Sequence, residues 1–118
     1  RFPVRVVVNP HNLGVARNFD QAIGLCTGDV VALADQDDVW RADKLAVFEQ
    51  VFRADPAAVM AVSDGELVGP DGELLSGTLW QAVGLTPAVQ REFTDTRGAR
   101  VLLRGAYCTG AAMAFRSS

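Results

Sequence analysis

With 118 residues, 49% of them hydrophobic and 21% charged, the chain is long enough for one domain with a core and is not composed like a disordered segment. Its net charge of −3 argues against a nucleic-acid partner, which calls for a basic face. No apolar run reaches the length of a membrane span, and no signal peptide opens the chain.

In chain order, Val4–Val8 is an apolar, β-branched run and reads as a first strand. The turn residues Asn9 to Gly14 follow. Val15, Phe19, Ala22, Ile23 and Cys26 then recur at spacings of three and four, the face of a helix that Thr27-Gly28 closes. Val30–Ala34 is uninterrupted and apolar, as in a strand covered on both faces. Leu45, Phe48 and Phe52, supported by Val47 and Val51, predict a second helix ending near Asp55-Pro56, and Ala57–Val62 a third strand. This βαβαβ order predicts an α/β fold with a mostly parallel sheet flanked by helices.

The second half is less regular. Glu66-Leu67-Val68 and Glu73-Leu74-Leu75 predict a hairpin turning on Asp71-Gly72. Residues 76–98 read as loop-rich with one short helix over Pro87–Phe93. Val101–Leu103 and Cys108–Phe115 supply late strand material. Cys26 and Cys108 lack metal-ligand spacing and any bridge framework, so two buried thiols in a reducing, cytoplasmic compartment are expected. The chain starts and stops on strand-like runs, and the expectation is part of a larger domain.

The chemistry concentrates where Val30–Ala34 runs into Asp35-Gln36-Asp37-Asp38. In an open parallel sheet, ligands bind beyond the C-terminal strand ends. Clustered carboxylates repel one another there unless a hard divalent cation lies between them, and Mg²⁺ and Mn²⁺ prefer oxygen donors. Mg²⁺ takes one or two protein carboxylates and completes its shell with water and phosphate oxygens, so this cluster suits a metal-bound phosphate ester. A helix cap explains one such carboxylate, not three.

"NLGVARNFDQAI", "GDVVALADQDDVWRADKL" and "YCTGAAMAFRS" resemble, in order and approximate spacing, the family 2 glycosyltransferases of GT-A fold, most closely the rhamnosyltransferase-like branch. The resemblance covers essentially the whole chain. It implies a partial GT-A (nucleotide-diphospho-sugar transferase) fold and a metal-dependent enzyme using Mg²⁺ or Mn²⁺. Asp35-Gln36-Asp37 then stands as the D-x-D, with Asp37 the metal ligand and Asp35 holding the ribose or sharing the metal through water. Asp38 supports that site or caps the next helix. Asn12, Gly14 and Arg17-Asn18 resemble the segment beside the nucleotide pocket, where Arg17 approaches the donor or remains a solvated helix residue. Asp64 faces donor sugar or acceptor, Gly110 and Ala111 lie near the acceptor side, and Trp40 packs against the helix start.

The implied donor is a dTDP-, UDP- or GDP-linked sugar, with rhamnose as the sugar the branch suggests. The acceptor is a surface glycan or lipid-linked glycan, reached from the cytoplasm or the inner membrane face, and transfer inverts the anomeric centre. Family members carry two further early strands, lying between the equivalents of Val4–Val8 and Val30–Ala34, and a later H-D-W or E-D segment whose Asp is the general base. His11, before the first helix, does not fit that motif. The isolated chain is therefore expected to hold the metal site without the base and to be catalytically silent. Two other classes fit less well. A Mg²⁺-binding receiver-like domain needs an acidic pair after its first strand, where Asn9-Pro10-His11 stands. A carbohydrate-binding or scaffold module calls for more exposed aromatics than two Trp and one Tyr.

Overall fold

The computed structural model describes residues 3–94 and 98–117. The first helix, α1 (Val15–Gly24), starts at Gly14, whose φ of 76° lies in the left-handed region that favours glycine. Asn12 sets up that turn by accepting the Gly14 N–H on its Oδ1 at 2.8 Å. The helix ends at Gly24, three residues before Thr27, where the Leu25 and Cys26 N–H groups bond the Ala22 and Ile23 carbonyls. None of its residues is fully buried.

Strand β1 (Val30–Ala32) leads through the acidic loop to α2 (Lys44–Ala54), and α2 to β2 (Met60–Val62). The hairpin of β3 (Glu66–Val68) and β4 (Leu74–Thr78) forms where the turn residues place it, with Gly72 at φ 80° and the Gly69 N–H bonding the Glu73 carbonyl at 2.8 Å. A capping box between Thr78 and Gln81 starts the short α3 (Leu79–Ala82). Then come α4 (Pro87–Thr94), matching the short helix expected there, α5 (Gly98–Arg104), a 3₁₀ turn at Gly110–Ala112 and β5 (Met113–Arg116). The loop-rich reading of residues 76–98 takes in residues 95–97, which lie outside the described residues, as do residues 1, 2 and 118.

Three expectations are corrected. The main sheet is not mostly parallel: its order is β1-β5-β2, and β5 pairs antiparallel with both neighbours. β1 and β2 do run in the same direction, as the helical crossover between them requires. The crossover fixes their direction but not their adjacency, and the returning chain end occupies the gap between them. Second, Val101–Leu103 is helix rather than strand. A three-residue apolar run carries no period, and Val101 reaches 0% exposure on α5. Third, Val4–Val8 pairs with no strand among the described residues, and Val4, Val6 and Val8 are 79–86% exposed. β-branched residues fit a half-buried pleated surface but do not make a strand without a neighbour to bond.

The core is built by α2 lying on the three-stranded sheet. Phe48 and Phe52, one turn apart, are both buried and pack with Ala61 and Ala114, against which Val30, Ala32 and Ala58 also rest. The register explains the fit. Ala32, Ala114 and Ala61 stand side by side across the three strands. This row of small residues lets two aromatic rings approach the sheet closely. Leu45, Val47 and Val51 flank that contact and stay exposed. Arg116 fastens the far end: its guanidinium donates to the carbonyls of Ala58 at 2.9 Å and Phe52 at 2.8 Å. A cation bonded to the last turn of α2 also matches the negative end of that helix.

Candidate functional site

β1 and β2 run level with each other. Val31 and Met60 both face Phe115, and Ala32 and Ala61 both face Ala114. The ladder continues one step further on each side, with Leu33 N–H bonding Met113 and Ser63 N–H bonding Ala112. Asp35 comes three residues after Ala32 and Asp64 three residues after Ala61, so both leave the sheet at the same edge. The chain of Gly110–Ala112 enters that edge between them. With strands about 4.8 Å apart, the two exits stand roughly 10 Å from each other.

Asp35 is partly exposed, and Asp37 and Asp38 are exposed in the loop that follows. None of the three carboxylates takes part in a side-chain hydrogen bond among the described residues, which leaves their oxygens to solvent or a ligand. Asp38 is not the cap of α2. Asp43 holds that position, and its carboxylate is bound by Arg41 at 2.8 and 3.0 Å, which keeps Asp43 below its ordinary pKa. Among the described residues no three His, Cys, Asp or Glu side chains group into a cage. A hard divalent cation at this loop would take one or two carboxylate oxygens and complete its shell with water and ligand; the residues present offer no closed tetrahedral site.

Asp64 has a structural task as well. Its Oδ1 accepts the Gly65 N–H at 2.8 Å and the Trp80 N–H at 2.9 Å, while the Trp80 indole N–H donates to the Ser63 carbonyl at 2.9 Å. Together these bonds fix the end of β2 to α3. Ala111 is buried, and its carbonyl accepts Lys44 Nζ at 2.7 Å. A methyl group at Gly110 would meet only Leu33 Cδ1 at 3.8 Å, an ordinary contact, so packing does not demand glycine there.

Asn12 and Gly14 line an open concavity of about 480 Å³ formed by Asn9–Val15 and Asn18, away from the sheet. Asn12 spends its Oδ1 on the Gly14 turn. Arg17 projects from the exposed α1. The structure thus brings together Asp35, Asp37, Asp38, Asp64, Gly110 and Ala111 around one sheet edge and leaves Asn12, Gly14 and Arg17 on a separate element.

Sequence reasoning passed over Trp80 and gave Lys44 no task. Trp80 carries no motif; only its place after the hairpin marks it. Lys44 stands within the acidic segment's own signature, four residues after Trp40, and that spacing is the signal. Trp40 does pack at the start of α2, with Lys44 Nζ 4.5 Å from its ring centroid. The thiols depart from expectation: Cys26 is exposed and Cys108 half-buried.

The chain matches the model of Glycosyl transferase family 2 over residues 1–117 and belongs to that family. Neither the curated proteins nor the solved structures contain a match to it. Family membership makes it a glycosyltransferase domain of α/β type, with a nucleotide-sugar donor and an acceptor as its ligands. The antiparallel β5 between β1 and β2 also excludes a receiver-like domain, whose doubly wound sheet is parallel. No helix among the described residues is long and apolar enough to cross a membrane.

Proposed function

We propose that this chain holds the donor end of an inverting, metal-dependent glycosyltransferase, with the nucleotide diphosphate bound at the edge shared by β1 and β2. The observation that carries the reading is the level exit of Asp35 and Asp64 from the two strands, with Gly110–Ala112 between them. Asp37 is the metal ligand. Asp35 shares the metal through water or holds the ribose, and Asp38 adds its charge from the same loop. A divalent cation held there supplies charge compensation for the leaving nucleoside diphosphate. Asp64 faces the donor sugar or acceptor with the oxygen that the Gly65 and Trp80 N–H groups leave open. Gly110 leaves space on the acceptor side. Arg17, with Asn12 and Gly14, approaches the nucleotide from α1.

An acceptor hydroxyl then attacks the anomeric carbon from the face opposite the leaving group, which inverts that centre. No residue of the described chain is assigned as the base that takes the hydroxyl proton. The donor is a dTDP-, UDP- or GDP-sugar, with rhamnose the sugar suggested by the "ADQDDVW" segment, and the acceptor a surface or lipid-linked glycan on the cytoplasmic side of the membrane. Titration calorimetry with dTDP, UDP and GDP, each with and without Mn²⁺, tests the reading. One nucleotide should bind only with the metal. Binding of none, or binding unaffected by Mn²⁺, overturns it.

A further inference from the structure

Lys44 stands where local physics disfavours it. It is the first residue of α2, where the positive end of the helix repels an ammonium. It is also partly withdrawn from water, and this desolvation lowers its pKa, opposed by the nearby Asp38 charge. Its tertiary contacts offset those costs. Nζ donates to the Ala111 carbonyl, 67 positions away in the chain, at 2.7 Å. The same ammonium lies 4.5 Å from the Trp40 ring centroid and 6.0 Å from that of Phe48. The acidic segment has few other ties: its carboxylates make no side-chain hydrogen bond among the described residues, and the buried Trp40 Nε1 finds no acceptor.

We propose that Lys44 is a positioning residue, tying the Asp35–Trp40 segment to Gly110–Ala111 and so fixing the spacing between the donor side and the acceptor side of the site. This rests on the donor-site reading above. One ammonium meets both the Trp40 ring, at the end of the acidic segment, and the Ala111 carbonyl, in the middle of the 3₁₀ turn. The two segments therefore move together. A hydrophobic residue of equal length would fill the same space over Phe48 but would leave the Ala111 carbonyl without its donor.

Lys44→Met and Lys44→Arg in the 118-residue chain test this by amide hydrogen exchange, thermal melting and titration with Mn²⁺ and UDP, dTDP or GDP. Lys44→Met should speed exchange at residues 35–40 and 109–111 while sparing β1, β5 and β2, and should weaken metal–nucleotide binding about fivefold or more, the lower range of coupling between sites. Lys44→Arg, which keeps a cation and a donor, should restore most of both. Unchanged exchange in the two segments, a uniform loss of protection across the sheet, or failure of Arg to restore either readout overturns the assignment. If the unaltered chain binds no metal–nucleotide, the donor-site reading falls, and the exchange comparison alone still decides whether Lys44 holds the two segments.

Discussion

Asp35 and Asp64 occupy equivalent places on two strands that are not neighbours, each three residues beyond an alanine that faces Ala114. The antiparallel β5 between them sets their separation without adding a carboxylate of its own. The division of labour differs between the two. Asp35 has no side-chain hydrogen bond among the described residues, whereas Asp64 is held by two backbone N–H groups.

That difference separates structure from charge at Asp64. Asp64→Asn retains the oxygen that accepts from Gly65 and Trp80, so its melting temperature should stay close to that of the parent chain. Asp64→Ala loses both bonds and should cost about 1 kcal/mol in denaturant titration. A loss of metal–nucleotide affinity in the Asn variant, without loss of stability, would mark the charge itself as part of the site.

Asp37→Asn should weaken Mn²⁺–nucleotide binding about tenfold or more, equivalent to about 1.4 kcal/mol. Because Asp37 is exposed and makes no side-chain hydrogen bond among the described residues, melting should not change. Asp38→Asn should have the smaller effect of the two in calorimetric titration, and the reverse ranking would move the metal ligand to Asp38.

Core variants should respond to the alanine row. Phe52→Ala empties the space over Ala61 and Ala114 and should destabilise by about 3–5 kcal/mol. Ala114→Leu, at 0% exposure beneath α2, overpacks the same contact and should cost about 1–3 kcal/mol. Urea titration of both measures this directly.

Helices α1, α2 and α4 and the hairpin could be read in the sequence because their signals are local, whereas the single turn of α3 and the three-residue apolar run in α5 carry no such period. Phe48 and Phe52 recur at helical spacing, and Asp71-Gly72 is a turn by its own chemistry. The place of β5 could not be read: insertion of residues 113–116 between β1 and β2 is a pairing across more than fifty residues, and apolar character names no partner. The acidic loop stands out in the sequence as a candidate because like charges at a strand end call for an external partner. Lys44 does not, because its bond to the Ala111 backbone leaves no trace in the identity of residue 111.

The thiols give a pH-dependent outcome. Burial raises Cys108 above its ordinary 9.0, so in the folded chain it keeps its proton where the unfolded chain has begun to lose it. Its contribution to stability is thus complete below pH 9 and is lost as pH rises through the raised value. Iodoacetamide at pH 8 should label exposed Cys26 well before Cys108, and Cys108→Ala should lessen the loss of stability above pH 9. Equal labelling rates would contradict the difference in burial.

Paramagnetic broadening by Mn²⁺ in the presence of a nucleoside diphosphate tests a donor site at this edge most directly. Amide signals of residues 35–38, 63–65 and 110–112 should broaden together, while those of Gly28, Asp29, Ala58 and Ser117 at the opposite edge keep their intensity. Broadening centred on that opposite edge or on the β3–β4 hairpin would contradict the site.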